Sequence, residues 1–123
     1  NLEGHNAINS IIYPGLKRHP QNKLAIKQQL NPNGNPIFGS VFSIVLKSLE
    51  KRDAFLKKIK LFTLAESLGG VESLISVPYD MTHVSVPIKT KEHMGLTKTL
   101  IRLSVGIENV DDLYSDLLQA LED

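Results

Sequence analysis

The chain has 123 residues, 41% hydrophobic and 22% charged, which is the balance of one ordinary globular domain with its own core. Its 14 Lys and Arg against 13 Asp and Glu leave a net charge of +1, which offers no broad basic surface for a nucleic-acid partner. Cysteine is absent, which excludes disulfides, thiolate metal sites and cysteine nucleophiles and agrees with a reducing compartment.

No apolar run approaches the roughly 20 residues that cross a bilayer, and no signal-peptide pattern opens the chain, so no membrane partner is expected. The start, NLEGHNAINS, lacks an initiator Met and has the look of a helix interior, so Asn1 is expected to be a cut inside a longer protein. Residues 4–10 read as a short helical piece, and IIYPGL as a strand entry broken by Pro14-Gly15. KLAIKQQL predicts a second helix with Leu24, Ile26 and Leu30 as its apolar contacts. NPNGNPIFGS, over 31–40, is a loop punctuated by proline and glycine.

VFSIVLKS alternates, with Phe42, Ile44 and Leu46 on one face, and predicts a strand. SLEKRDAFLKKIK predicts a helix buried through Phe55, Leu56 and Ile59. Its Lys57, Lys58 and Lys60 are ordinarily a solvated edge; a phosphate site is the rarer reading. LFTLAES and VESLISV predict two further strands, PYDMTHVSVPIKT an irregular stretch, and TKEHMGL a short helix capped by Thr90. IRLSVG is a strand, and NVDDLYSDLLQALE is a closing helix capped by Asn109, with Val110, Leu113, Leu117, Leu118 and Leu121 as its apolar stripe. The sum is an α+β domain: a small antiparallel or mixed sheet with helices packed on one face.

Arg102 stands out for chemistry. On its strand it shares a face with Ser104 and Gly106, which leaves room above it for an anion, and its planar fork suits a carboxylate. An arginine on an open sheet face is nonetheless the commoner cause of such a pattern. Ser67 precedes Leu68-Gly69-Gly70, where free N–H groups can meet an anion, though a plain turn serine is again the commoner case. Glu66 raises its own question, since a carboxylate on the face of Phe62 and Leu64 needs a partner. No Gly-x-Ser-x-Gly elbow surrounds Ser67, and the four histidines show no metal-binding spacing. Thr82-His83 reads as a packed turn, and Lys98 as a surface lysine.

LFTLAESLGGVESL, MTH and LIRLSVGIENVDDLYSDLLQALE, with IIYPGLKRHPQN before them, resemble the C-terminal domain of the pyridoxal-phosphate enzymes of cysteine and methionine metabolism. The resemblance covers most of the chain and departs from the family chiefly at the 31–40 loop. It implies residues 1–123 as a substrate-carboxylate-binding domain of a fold-type I enzyme, cytoplasmic and homotetrameric. Arg102 would bind the α-carboxylate and Ser67 would sit near it and near the cofactor lysine. Glu66 would choose among distal substrate groups, and Leu68 and Thr82 would line the same region. The family's Ser-x-Thr-Lys and Tyr-x-Arg motifs are absent from these residues, so the Schiff-base lysine and the phosphate grip are expected upstream. The reaction implied is cleavage of the Cγ–S bond of cystathionine, with cystathionine γ-synthase as the alternative. A stand-alone, non-catalytic binding module is the rival from another class.

Overall fold

A computed structural model of the chain describes residues 2–122, so Asn1 and the cut expected there lie outside the described residues. Five strands form one sheet: β1 (Ile8–Ile12), β2 (Val41–Leu46), β3 (Thr63–Leu64), β4 (Leu74–Ser76) and β5 (Leu100–Ser104). Their spatial order is β1-β2-β5-β4-β3. All neighbours are antiparallel except β3 and β4, which run parallel, so the sheet is mixed. Four helices complete the α+β fold: α1 (Asn22–Gln28), α2 (Leu49–Lys58), α3 (Ile88–His93) and α4 (Val110–Leu121).

Strand alternation sends Ile44, Leu46, Ile75, Ile101 and Leu103 to one face, where all five are buried. Phe55 from α2 and Leu113, Leu117, Ala120 and Leu121 from α4 close over them in one cluster. Each buried Leu, Ile or Phe contributes about 1.5–3 kcal/mol by burial, so this layer is what fixes the sheet. Both helices are capped as their sequences demand. Ser48 Oγ accepts from the Lys51 amide at 3.2 Å, and Asn109 Oδ1 from the amides of Asp111 and Asp112.

The structure corrects several expected elements. Residues 3–7 form turns and the chain enters β1 at Ile8, so the short N-terminal helical piece is absent. In α1 the buried residues are Asn22 and Ala25, while Leu24, Ile26 and Leu30 are exposed. Asn22 is held because its Nδ2 donates to the Pro14 carbonyl at 2.8 Å. Pro87, not Thr90, precedes α3, since its fixed φ sets the helix start and leaves Thr90 inside it. On α4, Val110 is 71% exposed while Asp116 is buried, because its carboxylate accepts from the amides of Lys60 and Leu61 and from Gln119 Nε2. That carboxylate also sets the entry to β3, which keeps two residues where a seven-residue strand was expected.

Candidate functional site

The second face of the sheet, opposite α2 and α4, sets one arginine beside Ser43, Ser76 and Ser104, with Val41, Val45, Leu74 and Leu100 in the flanking rows. Arg102 lies on β5, the central strand, paired with Ser43 of β2 on one side and Ser76 of β4 on the other. Directly opposed residues share a face, so the three form one row across the sheet. Alternation puts Ser104 and Leu100 in the adjacent rows on the same face.

The turn after β3 is docked onto this row. Arg102 Nη2 donates to the carbonyl of Glu66 at 3.0 Å and to that of Ser67 at 3.3 Å. Ser104 Oγ accepts from the Gly69 amide at 2.8 Å. Gly69 takes φ +77°, a left-handed conformation that a side chain would strain. Among the described residues, Arg102 Nε and Nη1 donate to nothing, so the fork keeps unused donors.

A second clip holds the end of the same loop. Ser73 donates its amide to Glu108 Oε1 at 2.7 Å and its hydroxyl to Glu108 Oε2 at 2.8 Å, and its Oγ accepts from the Gly106 amide at 2.9 Å. The Ser73 amide, with the Glu108 backbone amide and the Ser73 hydroxyl, holds the Glu108 carboxyl below the usual carboxylate range. Position 106 admits only glycine, because a Cβ there would strike the Val71 carbonyl and the Glu108 carboxylate.

The structure thus brings Arg102, Glu66 and Ser67 together, through the backbone of the latter two. Glu66 is exposed, and its carboxylate has no partner among the described residues, so the apolar neighbourhood expected for it is corrected. Leu64 points away from the core at 58% exposure, and Phe62 alone of that pair is buried. Leu68 follows Ser67 on the same turn and is exposed. Thr82 is exposed beyond the end of β4, with its hydroxyl 2.7 Å from His83 Nδ1. Sequence reasoning missed the Ser73–Glu108 clip. The one signal for it was an acid just past Gly106, where β5 turns toward α4.

The stretch between β4 and β5 is organised by Tyr79. Buried Lys91 donates to the Tyr79 carbonyl at 3.0 Å, with its ammonium 4.0 Å from the ring centroid, and the Lys98 ammonium lies 5.7 Å from the same ring. Arg52 of α2 ties this stretch down through Asp80 Oδ2 at 2.9 Å and the Lys98 carbonyl at 2.7 Å. A cavity of about 650 Å³ opens elsewhere, on the core side, between Ile11, Tyr13, Phe42, Val105 and Tyr114. No metal-binding cluster occurs among the described residues, and none of their helices is long and apolar enough to cross a membrane.

The family model for Cys/Met metabolism PLP-dependent enzymes matches residues 1–122. The chain belongs to this family. Cystathionine gamma-lyase of Bacillus subtilis (strain 168) is 50% identical over 121 residues, covering 98% of this chain and 30% of that protein. Cystathionine gamma-lyase of Dictyostelium discoideum is 48% identical with the same coverage. The fold matches cystathionine gamma synthase from Xanthomonas oryzae pv. oryzae, solved in complex with cystathionine, with a TM-score of 0.88 and 41% identity. That match covers 98% of this chain and 30% of the synthase. The chain therefore spans about a third of the length of the relatives it matches, all of them in a pyridoxal-phosphate-dependent family.

Proposed function

We propose that these residues are the C-terminal, substrate-carboxylate-binding domain of a longer pyridoxal-phosphate enzyme that cleaves the Cγ–S bond of cystathionine. With water, the products are cysteine, 2-oxobutanoate and ammonia. The observation that carries this reading is the posture of Arg102, anchored through Nη2 on the carbonyls of Glu66 and Ser67 with further guanidinium donors left open. A carboxylate there gains charge-assisted contacts, and fixing it orients the rest of the amino acid. Ser67 lies beside that carboxylate, and the exposed Glu66 meets the polar distal end of cystathionine. Leu68 and Thr82 line the same region.

The residues present fit the amino-acid end of the site and not the cofactor's phosphate. Two cations of the β4–β5 connection, Lys91 and Lys98, are engaged with Tyr79. Pyridoxal phosphate, held mainly upstream, supplies the electron sink when bound. The whole enzyme is proposed to be a cytoplasmic homotetramer.

The fold match to a synthase solved with cystathionine favours cystathionine γ-synthase as the second reading. Steady-state assays of the full-length enzyme decide between them. Faster turnover of cystathionine than of activated homoserine plus cysteine supports the lyase, and the reverse order supports the synthase. Activity on neither, in a reading frame without an upstream Ser-x-Thr-Lys motif, leaves the non-catalytic binding module.

A further inference from the structure

The strand order carries a consequence for how Arg102 reaches its anchor. β4 lies between β5 and β3. Glu66 and Ser67 follow β3, and the turn they open comes back over β4 to Ser104 of β5 at Gly69, so Arg102 donates to their carbonyls on the β4 side of its own strand. The residue of β4 directly opposite Arg102, on the same face, is Ser76. Cross-strand neighbours of this kind stand about 4.5–5.5 Å apart at Cβ, so whatever occupies position 76 lies beneath the arginine.

Ser76 is 1% exposed, and its hydroxyl is buried without a hydrogen-bond partner among the described residues. An unpaired buried hydroxyl costs free energy and returns none. The hydroxyl of Ser104, on the same face, does the opposite and accepts from the Gly69 amide. What position 76 contributes is therefore space.

We propose that Ser76 is a positioning residue for Arg102: its small side chain keeps open the lane on the β4 side of β5 along which the arginine lies, and so sets where the guanidinium meets a substrate carboxylate. This rests on Arg102 as the carboxylate-binding residue. A γ-branched or β-branched side chain at 76 lifts the arginine from the sheet and breaks its hold on Glu66 and Ser67. Two things are lost together: the aim of the guanidinium and the docking of the 66–69 turn.

The test uses the full-length holoenzyme with Ser76→Leu, Ser76→Thr and Ser76→Ala, beside Arg102→Ala. Steady-state kinetics are paired with equilibrium binding of glycine, which carries the carboxylate and lacks a distal group. Ser76→Leu is expected to weaken glycine binding and raise KM about tenfold while kcat changes by less than about threefold. Ser76→Thr, which adds one methyl and suits a strand, shows a smaller rise in the same direction. Ser76→Ala keeps the lane and stays within about twofold in both readouts. Equal loss in Ser76→Ala and Ser76→Leu overturns the proposal, because the hydroxyl and not the space would then matter. So does wild-type glycine affinity in Ser76→Leu and Ser76→Thr while Arg102→Ala loses it. If Arg102→Ala itself binds glycine normally, the carboxylate role of Arg102 has failed first.

Discussion

Ser73 and Glu108 hold each other twice, amide to Oε1 at 2.7 Å and hydroxyl to Oε2 at 2.8 Å, across 35 residues of sequence. These bonds favour the ionised carboxylate and depress its pKa, the Ser73 amide most of all. A depressed folded-state pKa contributes stability that is present above the unfolded value, about 4.3 for Glu, and is lost as pH falls through the folded value. Hydrogen exchange at the Ser73 and Gly106 amides is expected to accelerate selectively below about pH 4.3. Glu108→Gln removes that pH dependence and speeds exchange at neutral pH. Unchanged protection of both amides in Glu108→Gln would show that the clip does not hold the loop.

Arg102→Ala in the full-length enzyme is expected to cost about 2–4 kcal/mol in kcat/KM, through loss of charge-assisted contacts to the substrate carboxylate. Arg102→Lys rescues poorly, since one ammonium cannot hold the Glu66 carbonyl and a carboxylate as a planar fork does. Near-normal kcat/KM in both variants, with cofactor still bound, removes Arg102 from the site.

Glu66→Val is expected to shift preference from cystathionine toward apolar thioethers such as methionine. The substitution removes the attraction for a polar distal end and the desolvation cost of an apolar one. Because the carboxylate is exposed and has no partner among the described residues, the melting temperature should hardly move. A lowered Tm with an unchanged ratio of kcat/KM for the two substrates assigns Glu66 to the fold instead.

Asp116→Ala leaves the amides of Lys60 and Leu61 without their acceptor and is expected to cost about 2–4 kcal/mol of stability. Urea unfolding of the full-length protein measures the loss, and exchange at these two amides locates it. Asp116→Asn keeps one acceptor oxygen and should fall between the two.

Residues 1–123 alone, lacking the upstream Ser-x-Thr-Lys and Tyr-x-Arg motifs, are expected to bind no pyridoxal phosphate tightly and to show no lyase activity. A stoichiometric imine absorbance band that survives dialysis contradicts this.

What could be read from the sequence tracks how local each signal is. β2, β5 and the cap of α4 follow from alternation and from Asn109, all within a few residues of where they act. β3 was overestimated because its ends are set from afar, by Asp116 at one side and Arg102 at the other. The stripe of α4 holds at Leu113, Leu117 and Leu121, which are buried, and fails at Val110, which lies in the exposed first turn, while Asp116 is drawn inward by amides 55 and 56 residues away. Arg102 was visible as a residue with room above it. Its anchoring on Glu66 and Ser67 was not, because periodicity says nothing about which loop lands on a strand.

Arg102 sits on a strand laddered on both sides, whereas Glu66 and Ser67 lie on an edge turn fastened by a few side-chain bonds. The two halves of the site are thus unequal in their tolerance of sequence drift. Substitutions along 66–68 lie outside the sheet's ladders, while a change at 102 sits between Ser43 of β2 and Ser76 of β4 and removes the bonds to the turn. On the proposed role of Arg102, such a division keeps one grip on the sheet and lets the group beside it vary by single substitutions on the turn.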